Sequence, residues 1–213
     1  MIQRSMIQHT PVKHSMNKHT VIKLILPLVL GSALALPAQA ETWQVDIDTT
    51  SLAGIGGYLD IQLNPGAYDA QFAQAQISNF SASAVLGAGV GEGVFSGALP
   101  GVLVLDNTAA LNAWLQGLVF GSHIAFTLDI DSALNAGSGS RFSTLLWDAD
   151  FNPLLAMAGE DAALRIDLMP GSAPSWMASS YVQVSAVPEP NIAVSLLAGL
   201  GLIGLSVRRR FPV

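Results

Sequence analysis

The segment Ile124-Ala125-Phe126-Thr127-Leu128-Asp129-Ile130 decides the fold class. Its large apolar residues fall at every second position. On a strand, successive side chains point to opposite faces, so positions 124, 126, 128 and 130 line one face. That is the pattern of a strand with one face in a core and one in water. The alternation recurs in Trp43-Gln44-Val45-Asp46-Ile47-Asp48-Thr49 and in Ala73-Gln74-Ala75-Gln76-Ile77-Ser78. It recurs again in Tyr58-Leu59-Asp60-Ile61-Gln62-Leu63, which Asn64-Pro65-Gly66 closes. Residues 102–105, after Pro100-Gly101, and residues 142–147, 163–168 and 181–185 complete the set. About eight to ten short strands punctuated by turn residues predict an all-β domain, a β-sandwich or jelly roll.

One segment breaks this pattern. Leu111, Trp114, Leu115 and Leu118 stand at helical spacing and predict one short helix over an open end of the sandwich. Asn107 or Thr108 would cap its start and Gly117 its end. The alternative is a loop leading into a strand, with Trp114 in the core. Gly87-Ala88-Gly89-Val90-Gly91-Glu92-Gly93 reads as a flexible loop between strands. Residues 172–179, rich in Ser, Ala and Pro, read as a long hairpin loop.

The two ends of the chain differ from the middle. Lys18 and Lys23 precede an apolar run over residues 24–36, and Pro37-Ala38-Gln39-Ala40 follows. A basic stretch, a short apolar run and an Ala-x-Ala site predict a secretory signal peptide over residues 1–40. Ala38 and Ala40 mark the cleavage and signal peptidase is the implied partner. The alternative is a retained N-terminal anchor. Met16 is as good a start as Met1. At the other end, Val187-Pro188-Glu189-Pro190 leads into an uncharged run over residues 191–207 and then Arg208-Arg209-Arg210. The run from Ile192 to Val207 would span roughly 24 Å as a helix, at the short end for a bilayer core of about 30 Å. It predicts a single transmembrane helix over 191–207, with the arginines as a cytoplasmic basic stop. Pro188 and Pro190 keep the approach to it extended.

Between these ends, residues 41–187 are the size of one domain. Its basic residues are Arg141 and Arg165, against fourteen acidic ones, which leaves a net charge of −12 with His123 neutral. Such a surface repels phosphate backbones, so no nucleic-acid partner is expected. The chain has no cysteine, which excludes disulfides, thiolate metal sites and thiol nucleophiles.

The Pro188-Glu189-Pro190 motif, the apolar span and the terminal arginines together resemble the PEP-CTERM sorting signal, the tripartite tag of many Gram-negative envelope proteins. The resemblance covers about the last 26 residues, 188–213. It implies recognition at Val187, Pro188, Glu189 and Pro190 by the membrane protease-transpeptidase exosortase, which removes the helix. The alternative is an ordinary C-terminal anchor. The segments Ile77-Ser78-Asn79-Phe80, Leu99-Pro100-Gly101, Leu105-Asp106-Asn107, Gln116-Gly117-Leu118-Val119-Phe120-Gly121 and Trp147-Asp148-Ala149-Asp150 are similar to a β-rich family of PEP-CTERM-tagged proteins of unassigned activity. That likeness implies a single β domain and supplies no catalytic residue.

Candidate chemistry in the body is sparse. Asp148, Asp150 and Asn152 stand at positions one, three and five of a calcium-loop pattern. Pro153 replaces the usual Gly, and Gly159 the final Glu. The competing reading is a turn in which Asp and Asn bond their own backbone. Asp46 with Asp48, and Asp129 with Asp131, share strand faces opposite Val45, Ile47, Leu128 and Ile130 and read as outward polar positions. His123 follows Ser122 directly, a spacing that puts strand neighbours on opposite faces, and no Gly-x-Ser-x-Gly elbow occurs. Gly199-Leu200-Gly201-Leu202-Ile203-Gly204 spells a dinucleotide fingerprint inside an apolar run with no preceding strand, and is discounted. Among the aromatic residues, Trp176 in a polar stretch is the best candidate for exposure.

These readings predict an exported, exosortase-sorted protein without catalysis or cofactor. It would pass through an inner-membrane-anchored intermediate to the cell surface or extracellular matrix. Its role there would be structural or adhesive, with exopolysaccharide as a candidate partner. The alternative is a carbohydrate- or calcium-binding β-sandwich module at the same location.

Overall fold

In the computed structural model, residues 41–132 and 136–187 are described. They form thirteen strands and one short 3-10 turn, Thr50–Leu52. The strands are β1 (Glu41–Asp48), β2 (Gly56–Pro65), β3 (Ala73–Ser81), β4 (Ala84–Glu92), β5 (Phe95–Gly97), β6 (Leu103–Asp106) and β7 (Ala113–Val119). They continue with β8 (His123–Ser132), β9 (Ser140–Asp148), β10 (Pro153–Leu154), β11 (Ala162–Leu168), β12 (Ser175–Ala178) and β13 (Val182–Ala186). Every pairing is antiparallel. One sheet runs β13-β1-β8-β3-β6-β5, the other β12-β11-β9-β2-β7-β4, with β10 beside β9. From β1 to β4 the chain changes sheet at every strand, so β1 pairs with β8, β2 with β7 and β3 with β6.

The alternation seen in the sequence builds the core. Trp43, Val45 and Ile47 of β1 and Ile124, Phe126, Leu128 and Ile130 of β8 are buried on the inner face of the first sheet. Leu59, Ile61 and Leu63 of β2, Phe142 and Leu146 of β9, and Leu164, Ile166 and Leu168 of β11 are buried on the second. All belong to one hydrophobic cluster, so the two sheets enclose a common core. Each fully buried large aliphatic or aromatic side chain contributes about 1.5–3 kcal/mol over its exposed state, which is how a body without disulfides holds its fold.

Three expectations fail here. The expected helix around residues 111–118 is strand β7, and no α-helix occurs among the described residues. The buried residues are Asn112, just before the strand, and Trp114, Gln116 and Leu118 within it, a period of two. Gln116 is a polar residue at an inward position, and Leu115 an apolar one at an outward position, so the apolar pattern imitated a helix. The expected loop at residues 87–93 lies in β4, an edge strand with an irregular register between Leu86 and Val90. Its glycines serve close approach. A Cβ at Gly89 would stand 2.4 Å from the Trp114 ring, and one at Gly91 2.3 Å from the Phe95 ring. Residues 172–179 likewise hold a strand, β12, which pairs with β11. The C-terminal helix expected over 191–207 lies outside the described residues. Within them, no helix is long and apolar enough to cross a membrane.

Candidate functional site

The outer face of the second sheet carries the richest side-chain chemistry. Because Leu59, Ile61 and Leu63 turn into the core, Tyr58, Asp60, Gln62 and Asn64 stand outward on β2. They are linked along the strand. The Asn64 amide donates to Gln62 Oε1 at 3.0 Å, and the Gln62 amide to Asp60 Oδ2 at 2.8 Å. Trp147 of β9, directly opposite Tyr58, donates its indole N–H weakly to the same Asp60 oxygen, at 3.4 Å. The other oxygen, Oδ1, is buried and accepts no hydrogen bond. Burial raises the Asp60 pKa above the ordinary carboxylate value, against the opposing pull of the Gln62 and Trp147 hydrogen bonds.

Two shallow grooves meet at Gln62 on this face. One, of about 480 Å³, is bounded by Asp60, Glu92, Leu115, Trp147 and Phe151. The other, of about 670 Å³, runs over Asn64, Ser143, Arg141 and Asp167. Arg141 pairs with Asp167 at 2.8 Å, and Arg165 with the same carboxylate at 3.0 Å and with Glu160. Both cations of residues 41–187 are therefore already in ion pairs.

The Asp148-Ala149-Asp150-Phe151-Asn152 segment is the turn between β9 and β10. Asp148 Oδ1 accepts from the backbone N–H of Asp150 at 2.9 Å and of Asn152 at 2.8 Å. Its Oδ2 accepts from the Asn152 amide at 2.8 Å. The Asn152 side chain, then the Asn152 and Asp150 backbone, holds the Asp148 pKa below its usual value. Three hydrogen bonds are thus accepted by the Asp148 carboxylate inside the turn. Asp148 and Asn152 form the self-bonded turn that the sequence offers as the competing reading. The clamp holds Phe151 at a φ of 60°, a left-handed conformation rare for a bulky residue. Its ring lies flat on Tyr58, with centroids 5.0 Å apart and planes 8° from parallel.

The other sequence candidates are dispersed. Asp46, Asp48 and Asp131 are exposed and Asp129 is half-buried, all on the outer face of the first sheet. Ser122 precedes β8 rather than sitting within it. Its hydroxyl therefore lies 3.2 Å from His123 Nδ1, not on the opposite face as expected. Trp43 and Trp114 are buried. Trp176 is exposed as expected, though on β12 rather than in a loop, and Tyr68 is more exposed still. The sequence reading missed the Asp60–Gln62–Asn64 stripe, although the alternation that revealed β2 also displays it.

The two ends of the body lie side by side. β1 begins at Glu41, and Trp43 is paired with Ala186 near the end of β13. Beyond that pair, the Val187 N–H donates to the Thr42 carbonyl at 2.9 Å. A family model described as the PEP-CTERM protein-sorting motif matches residues 186–210, so the match begins on the last residue of β13. The chain carries the PEP-CTERM sorting tag. Such tags mark exported proteins that exosortase sorts to the cell envelope, which makes exosortase a partner of this one. The PEP-CTERM match is confined to the tail. No curated protein and no solved structure matches the chain. Pro188, Glu189, Pro190, Arg208, Arg209 and Arg210 lie outside the described residues, as do Ala38 and Ala40 of the expected signal cleavage.

Proposed function

We propose that this PEP-CTERM protein is a non-catalytic component of the cell envelope, with a structural or adhesive role at the surface or in the extracellular matrix. The folded β body is the cargo that the tag delivers. Its two sheets, with β1-β8-β3-β6 in one and β2-β7-β4 in the other, follow the winding of a jelly roll. The observation that carries the proposal is the hydrogen bond from Val187 to Thr42. It ties the last residue before Pro188 into the folded sheet, so no further domain or linker separates body and tag. The first residue after the expected signal peptide, Glu41, opens the neighbouring strand. Glu41 and Val187, the described residues next to the two expected processing sites, therefore lie at the same end of neighbouring strands. A body delivered this way passes through an inner-membrane-anchored intermediate with that end toward the bilayer.

A structural role is supported by how the buried polar groups are used. Thr49 bonds the Gly121 carbonyl, and Asn107 and Asn112 tie loops to strands. Deleting Pro188 to Pro190 tests the reading. The expected result is a protein retained in the membrane with its tail uncleaved and no surface display by protease accessibility. Unchanged processing and display would remove the proposal.

A further inference from the structure

We propose that the outer face of the second sheet, from Phe151 to Asn64, binds a neutral linear oligosaccharide. The inference deepens the envelope reading by naming a ligand class for the delivered body, and it rests on that reading for its biological setting. Four observations converge on it.

The first is Phe151. A bulky side chain in the left-handed region is strained, and such strain persists where the surroundings enforce it, often at functional sites. Here the Asp148 clamp enforces it, and glycine or asparagine would meet the turn's need with less strain. What phenylalanine adds is a ring braced from beneath by Tyr58, with the residue 54% exposed. A rigid flat apolar surface of this kind suits the C–H face of a sugar ring.

The second is Asp60. Asp60 lines the groove beside Trp147, and its Oδ1 is a buried acceptor without a donor. A buried unpaired acceptor is costly, and a ligand hydroxyl that displaced the side chain covering it would relieve that cost. The third is the ladder. Asp60, Gln62 and Asn64 repeat at every second residue of β2, which spaces polar groups about 6.6 Å apart along the groove. The two grooves meet at Gln62, so the track from Tyr58 to Asn64 covers about 20 Å. A linear chain of hydroxylated rings, one stacked at the aromatic end and the others hydrogen-bonded along the ladder, matches that length.

The fourth is charge. The groove at the aromatic end holds Asp60 and Glu92 and no basic residue, and both arginines of the body are engaged with acids. A polyanion is therefore disfavoured. An extended peptide would seek the unpaired backbone of a sheet edge, whereas this track lies over β2 and β9 in the interior of the sheet.

The test uses the full chain purified in detergent, titrated calorimetrically with cellohexaose, mannohexaose and chitohexaose, and with octalysine as a cationic probe. At least one hexasaccharide is expected to bind saturably. Phe151→Gly and Asp60→Ala should each weaken that binding by about tenfold or more. Phe151→Gly should keep or raise the thermal midpoint, because glycine accepts the same φ without strain. That separates loss of a ligand platform from loss of fold. Failure of all three hexasaccharides to bind, binding unaltered in both variants, or binding of octalysine alone would each overturn the proposal. Surface display, measured in the same strains, keeps the two claims apart. A displayed protein that binds no hexasaccharide sinks this site and leaves the envelope reading standing. A sugar-binding protein that is never displayed does the reverse.

Discussion

Replacing Phe126 by alanine is expected to destabilise the body by about 3–5 kcal/mol, the range for removing a buried aromatic ring from a packed core. Phe126 is fully buried on β8, which lies between β1 and β3 near the middle of the first sheet, and it faces Val45 across the β1 pairing. The ring belongs to the cluster shared by both sheets. Its loss therefore opens a void that neither sheet can close alone. A domain of this size has about 5–15 kcal/mol to lose, so the variant should approach the threshold of folding. Chemical denaturation of wild type and variant measures the difference. Asp46→Asn on the exposed face of β1 serves as the control, with an expected change within about 0.5 kcal/mol. Equal stability of Phe126→Ala and wild type would mean that the two sheets do not share this core.

The second large effect is expected at Asn112. The residue is fully buried, and its amide closes the region where β2, β7 and the start of β5 meet. Oδ1 accepts from the Val94 N–H at 3.0 Å, and Nδ2 donates to the carbonyls of Leu63 at 3.1 Å and Ala109 at 2.8 Å. Leucine has a similar shape and none of these bonds. Asn112→Leu would leave the Val94 N–H and the Leu63 and Ala109 carbonyls without these bonds, the Leu63 one buried and the other two partly buried, at about 1–3 kcal/mol for a fully buried group. A net loss of about 3 kcal/mol or more is expected. Amide exchange locates it: protection at Val94 should fall well before protection at Ile61 in the centre of β2. Uniform loss across the body would show that Asn112 does not act locally. Asn107 plays the matching part on the other sheet, accepting from the Ala73 N–H and donating to the Gln71 carbonyl and the Ser140 hydroxyl.

Neither asparagine was legible as a structural hub from the sequence, because the expected helix took Asn107 as a candidate cap and enclosed Asn112. The fold itself was far more legible. β1, β2, β3, β8 and β11 each place apolar residues inward at a period of two, and a half-buried strand permits no other period. β7 escaped because Gln116 points into the core, where its amide reaches the Gly117 carbonyl and, weakly, those of Leu86 and Gly87 in β4. β4 escaped because the rings of Trp114 and Phe95 occupy the room that side chains would need. Long-range packing, not local preference, fixes both strands.

The candidate site divides in the same way. The Asp148 turn was legible because the competing Asp and Asn self-bonding depends only on near neighbours. The left-handed Phe151 was not, since local rules reserve that conformation for glycine or asparagine. The tag was read from residues 188–213 alone, and its abrupt start at the end of β13 emerged only with the fold.

The central claim is that a folded strand-built body is delivered outside the cytosol by a tag joined directly to its last strand. The intact mass of the protein recovered from the cell envelope tests it most directly. The account predicts a species that begins at Glu41 and ends close to the Pro188-Glu189-Pro190 motif. A recovered mass equal to the whole 213-residue chain, with both ends uncut, would contradict it.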